Sequence, residues 1–285
     1  MRWRTGRRST NVEDRRGRRA SRGLVGGGIG TILLALVAMY FGVDPSLVLQ
    51  SGGSSRTARG GATSYQPSAH EQELAAFAST VLADTEDVWS KLLPEQAGKR
   101  YEKPRLVLYT GITQSACGTG QAAMGPFYCP GDHKVYLDLS FFDELKRRHD
   151  APGDFAQAYV LAHEVGHHVQ NLLGIADKVD RLRARLGKTE FNQVSVRMEL
   201  QADCLAGVWA NHADRERHIL EEGDIEEALN AATQIGDDRL QKQARGYVVP
   251  ESFTHGTSKQ RMRWFATGMR SGELSACNTF KAASL

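Results

Sequence analysis

His163-Glu164-Val165-Gly166-His167 lies inside a run, Phe155 to Leu173, whose apolar spacing predicts a helix. On a helix, positions i and i+4 share a face, so both imidazoles can reach a single metal ion. H-E-x-x-H spacing in that setting is the pattern of a Zn²⁺ site in which the glutamate beside the first ligand acts as base. Zinc lowers the pKa of its bound water to about 7, so a hydroxide-like nucleophile becomes available at neutral pH. The stretch thus predicts a hydrolytic site, with His163 and His167 as ligands and Glu164 as the catalytic carboxylate.

The surroundings agree. Tyr159, Val160, Leu161, Ala162, Val165 and Val169 make the helix apolar on most sides, as a buried helix requires. Buried imidazoles and a buried carboxylate need partners, and a metal supplies them. Gly166 costs about 1 kcal/mol in a helix interior relative to alanine, which a close approach of backbone or substrate would explain. His168 falls about 140° around the helix from His163 and reads as a core or surface histidine instead of a ligand. A third ligand is available in Glu199, on a second predicted helix from about Asn192 to Ala213. Asp203 shares its face one turn on, where it could accept the other ring N–H of a ligating histidine. Val196, Met198, Leu200, Leu205, Val208 and Trp209 surround the pair, which argues against a solvated acidic face.

H-E-x-x-H followed by E-x-x-x-D resembles the gluzincin type of zinc peptidase. More closely, the chain resembles the bacterial neutral zinc metallopeptidase family with an N-terminal membrane anchor. Met1-Arg2-Trp3, Gly6-Arg7-Arg8 and Asn11 to Gly17 are similar to that family's opening, Ala162 to Gln170 to its metal helix, and Glu199 to Trp209 to its second helix. The resemblance implies a zincin-like fold and peptidase chemistry. Thr254-His255-Gly256, followed by Arg261, is similar to the Thr-His-Pro and downstream Arg of membrane-associated H-E-x-x-H peptidases, with Gly256 where proline is usual. That likeness offers His255 as a second catalytic group steadying an oxyanion. The competing reading is a histidine capping the helix predicted from Thr257. Arg261 either holds the carboxylates behind the metal or faces solvent.

Nine arginines and two acids occupy the first 22 of 285 residues, while the whole chain carries a net charge of only +3. A near-balanced total argues against a nucleic-acid-binding core. Residues 24–43 run without a charge for 20 positions, enough to cross a bilayer core of about 30 Å. The expected organisation is therefore a basic cytoplasmic tail (1–23), a transmembrane helix (24–43), a flexible Ser/Gly-rich linker (44–66) and a catalytic domain (67–285) outside the cytoplasmic membrane. A cleaved signal peptide is the alternative for the apolar segment. Four cysteines suit an oxidising compartment. Cys117 and Cys129 flank a Gly-rich loop that a disulfide would staple, and Cys204 could join Cys277 in the C-terminal tail, unless it is simply a small buried residue.

Amphipathic spacing predicts a helix from Ala69 to Leu93, ended by Pro94. Arg105–Tyr109 and Lys134–Leu139 read as strands, and helices are expected near Ser140–Arg148, Asn192–Ala213, Asp224–Gln243 and Thr257–Ser271. The fold class is α+β, a small sheet followed by packed helices. Val135–Leu139 is the candidate edge strand to which a peptide could add. A zinc endopeptidase acting on peptide or protein substrates is the leading reading. A catalytically weak scaffold module and a zinc amidase acting on cell-wall material are the alternatives.

Overall fold

In the computed structural model, which describes residues 1–17, 65–148 and 150–285, the chain opens with a strand, β1 (Val12–Asp14). There follow α1 (Ala69–Ala97), β2 (Arg105–Tyr109), a hairpin of β3 (Ile112–Ser115) and β4 (Gly118–Gln121), then β5 (Phe127–Cys129) and β6 (Lys134–Asp138). Helices take over from there: α2 (Ser140–Arg148), α3 (Asp154–Leu172), α4 (Ile175–Arg183), α5 (Lys188–Arg217), α6 (Asp224–Gln234), α7 (Asp237–Arg245) and α8 (Ser258–Ser271). The α+β layout expected from the sequence is present.

The main sheet runs β1-β2-β6-β5, with the first three strands parallel and β5 antiparallel to β6. Alternation sorts the side chains. Leu106, Leu108, Val135 and Leu137 enter the main core, whereas Val107, Tyr109, Cys129 and Tyr136 form a small cluster on the opposite face. β6 is flanked by β2 along its whole length and by β5 over Lys134–Tyr136, so the Val135 end of the expected edge strand is interior and cannot accept a further strand. The edge on that side is β5.

Residues 1–17 belong to the same folded body. Val12 pairs with Leu106 and Asp14 with Leu108, the Trp3 ring meets Phe77 edge-on at 5.3 Å, and the Met1 ammonium reaches Asp154 and Asp224. A side chain at Gly17 would collide with Tyr65, its Cβ only 2.2 Å from the tyrosine Cβ, so positions 17 and 65 adjoin. This overturns the expected single-pass arrangement. A cytoplasmic tail and an outer domain cannot be one body, and chain that leaves at 17 returns beside its starting point. Among the described residues no helix is long and apolar enough to cross a membrane. The apolar run 24–43 and most of the expected linker lie outside the described residues.

Three helices meet at the site. Gly166 of α3 faces α5, where a Cβ would sit 3.0 Å from the Ala202 carbonyl oxygen, so of the two approaches expected there, backbone or substrate, the structure shows backbone. Gly207 of α5 and Gly268 of α8 go further: added Cβ atoms would fall 2.1 Å from the Phe265 oxygen and 1.9 Å from the Cys204 oxygen. The two helices cross backbone against backbone. Elsewhere the boundaries move. α1 continues through Pro94 to Ala97, and the carbonyl that loses its donor there belongs to Ser90, an exposed residue. The single helix expected over Asp224–Gln243 breaks at Gly236, whose backbone lies against Ser258.

Candidate metal centre

α3 delivers His163 and His167 to one face, their rings 4.8 Å apart and perpendicular. α5 delivers Glu199 opposite. His163 Nε2 lies 3.2 Å from Glu199 Oε2, and His167 Nε2 lies 3.5 Å from Glu199 Oε1. Ligand atoms of the three residues fall within 4.8 Å of one another, so they could hold a metal ion. Each imidazole is anchored through its other nitrogen. Nδ1 of His163 meets Asp203 Oδ1 at 2.8 Å, and Nδ1 of His167 meets Gln170 Oε1 at 2.9 Å. Both Nε2 atoms are thereby turned toward Glu199, the orientation that ligating histidines need.

Asp203 is completely buried and spends both oxygens. Arg261 donates Nε to Oδ2 and Nη2 to Oδ1, each at 2.9 Å, and the Tyr159 hydroxyl donates to Oδ1 at 2.6 Å. Burial opposes charge on Asp203, but Arg261 and His163 outweigh it and keep the carboxylate ionised. Burial likewise disfavours a charged His163, yet Asp203 and Glu199 hold its pKa at about 10. Those carboxylates call for positive charge at the imidazole. A divalent cation on Nε2 would stand where the second ring proton stands, and two imidazoles with one carboxylate suit zinc.

Glu164 follows His163 on the buried side of α3, 8 % exposed. Burial raises its pKa, opposed by the two neighbouring imidazoles and by the backbone N–H of Tyr128 on β5. A carboxylate tuned upward beside a ligand set is suited to taking and returning a proton. His255 stands just before α8. Asp237 accepts from its Nδ1 at 3.1 Å and from the backbone N–H of Thr254, His255 and Gly256. Desolvation works against its charge, but Asp237 and the field of Glu199 raise the pKa. Thr257, not His255, caps α8 through a reciprocal bond pair with Gln260.

Every site residue expected from the sequence except the disulfide cysteines thus lies on α3, α5, α8 or the loop leading into α8. Three partners escaped the sequence reading. Tyr159 and Gln170 carried a signal, sitting four residues before His163 and three after His167 on the same helix. Asp237 carried none, being eighteen positions from His255. The cysteines are joined as Cys117–Cys129 and Cys204–Cys277, the second tying α5 to the C-terminal segment directly after Asp203.

The class that fold and site point to is also the one that comparison returns: the chain belongs to the family described as putative neutral zinc metallopeptidase, matched over residues 1–280. It is 51 % identical over 289 residues to the uncharacterized protein YpfJ of Escherichia coli K12, covering 98 % of this chain and 99 % of that one. The uncharacterized protein Rv2575 of Mycobacterium tuberculosis H37Rv is 42 % identical over 208 residues, covering 70 % of this chain and 68 % of its own. No solved structure matches.

Proposed function

We propose that the chain is a zinc-dependent endopeptidase, with His163, His167 and Glu199 as ligands and Glu164 as proton carrier. The observation that carries this reading is the convergence of both Nε2 atoms on the Glu199 carboxylate, with Glu164 beside them. Zinc bound there supplies a Lewis acid that polarises a carbonyl and acidifies water.

The chain's own residues do the rest. Glu164 takes the proton of the attacking water and returns it to the departing amine, a role that its raised pKa favours. His255, oriented by Asp237, donates a hydrogen bond to the oxygen that becomes negative in the transition state. Asp203, Tyr159 and Arg261 fix the His163 ring. The free side of β5 next to α3 is where an extended peptide adds as a strand, since recognition through backbone groups leaves side chains largely unconstrained.

Glu164→Gln tests the reading. It keeps the shape and one zinc per chain and loses at least about a hundredfold in turnover of a quenched fluorescent peptide, the scale expected when a general base is removed. Wild-type turnover in Glu164→Gln refutes the assignment.

A further inference from the structure

β5 is three residues long, and each of its side chains is anchored. Phe127 stacks on Tyr136 at 4.7 Å, and Cys129 is bonded to Cys117. Both belong to the sheet face turned away from the main core. Tyr128 alone points the other way, toward α3. Its hydroxyl lies 3.0 Å from His168 Nδ1 and 3.1 Å from Asn171 Nδ2. The strand packs against α3, the helix that also carries Glu164.

The chemistry of these contacts fixes who donates. His168 Nε2 lies 2.6 Å from the Glu102 carbonyl, which only accepts, so Nε2 carries the proton. His168 is fully buried, and the Asn171 amide already donates to the Tyr128 oxygen, which leaves the hydroxyl proton for Nδ1. Nδ1 therefore accepts from the Tyr128 hydroxyl, and that hydroxyl's oxygen accepts from the Asn171 amide. The edges of the Tyr101 and Tyr128 rings close around the imidazole at 5.6 and 5.4 Å. Each hydrogen bond runs in one direction, and together they tie β5 to the helix that carries Glu164.

We propose that His168 is a positioning residue: through the Tyr128 hydroxyl it sets the depth of the β5 edge against α3, and so places Glu164 and the line along which a peptide strand adds. The proposal rests on the metallopeptidase reading for its effect on turnover, while the clamp itself does not. A shift of about 1 Å in a reacting group costs up to about a hundredfold in rate, so a clamp outside the reacting atoms can matter.

Glutamine offers one acceptor and one donor in place of Nδ1 and Nε2–H, whereas leucine offers neither. The test compares His168→Gln, His168→Leu and Tyr128→Phe in the full chain. It reads amide hydrogen exchange over residues 127–129, bound zinc, and kcat and KM on a fluorogenic peptide. His168→Leu and Tyr128→Phe should speed exchange across β5 and lower kcat/KM about tenfold with zinc retained; His168→Gln should restore both to within about threefold. Tyr128→Phe removes a single oxygen, so it still reports if His168→Leu does not fold. Unchanged exchange in Tyr128→Phe overturns the clamp. Faster exchange with wild-type kcat/KM overturns its bearing on hydrolysis, as does loss of zinc in step with activity. Should the zinc-bound wild type cleave no peptide, the hydrolytic reading fails by itself, and the exchange comparison still decides the clamp.

Discussion

Asp203 and Arg261 form a two-pronged ion pair, both contacts 2.9 Å, buried between α5 and α8 and directed at the back of His163. The carboxylate also receives the Tyr159 hydroxyl, so its oxygens are committed before any ligand arrives. It acts as a bracket holding one imidazole at a set angle.

Asp203→Asn preserves the shape and removes the charge. Zinc affinity should fall by about 10–100-fold, the range seen when a ligand's supporting partner is altered. Competition with a chromogenic chelator measures it, and an unchanged dissociation constant would show that the bracket has no hold on the metal. Glu199→Ala should weaken zinc more strongly than Asp203→Asn, since it removes a proposed ligand.

Gly268→Ala pushes a methyl group into the Cys204 carbonyl, 1.9 Å from where its Cβ would be. Neither partner is a flexible side chain, so the helices must separate. The expected loss is about 3 kcal/mol or more, the upper end for overpacking. Urea unfolding reads it directly, and a midpoint equal to wild type would mean that α5 and α8 are not in backbone contact.

Trp3→Ala separates a folded N-terminus from a free tail. Trp3 is 9 % exposed and packs on Phe77, so truncation should cost about 3 kcal/mol. A tail projecting away from the domain would give no change in the denaturant midpoint.

Glu13 makes the N-terminal strand sensitive to acid. Its carboxylate accepts from Arg15 and Lys134, Arg15 contributing most, and its pKa is lowered to about 2. A depressed carboxylate contributes stability that is fully present above its unfolded value near 4.5 and lost as pH falls through about 2. Glu13→Gln should therefore be less stable than wild type at pH 6, with the gap closing between pH 4.5 and pH 2. Chemical denaturation at both ends of that window measures it; a gap that widens on acidification would reverse the assignment.

The site was more legible than the fold around it. His163, Glu164 and His167 lie on one helix, and Glu199 and Asp203 on another, so the 3.6-residue period alone says which of them share a face. Gly166 announced a close approach because glycine in a helix interior needs a reason. The edge strand was misread for the opposite cause. Val135 to Leu139 has the stronger alternation, but alternation reports burial of one face and says nothing about which strands lie on either side. β5, with three residues, has too little pattern to register at all.

The basic N-terminus was misread through composition. Nine arginines before an apolar run resemble a topology signal, yet Arg4 pairs with Glu73 and Arg7 with Glu86 and Asp87. A count of charges cannot distinguish arginines facing lipid from arginines bound to carboxylates more than sixty positions away.

The sequence by itself determined the chemistry that a single helix can hold: two imidazoles at i and i+4, a carboxylate beside the first, and a glutamate and aspartate paired on a second helix. These follow from local geometry, which any helix imposes on its side chains. Tertiary structure alone decided that Arg261 closes on Asp203, that Asp237 holds His255, that β5 is an edge and that residues 1–17 complete the sheet. Each of these joins surfaces distant in the chain, and which surfaces meet depends on what the whole molecule buries together, for which no local period carries a signal.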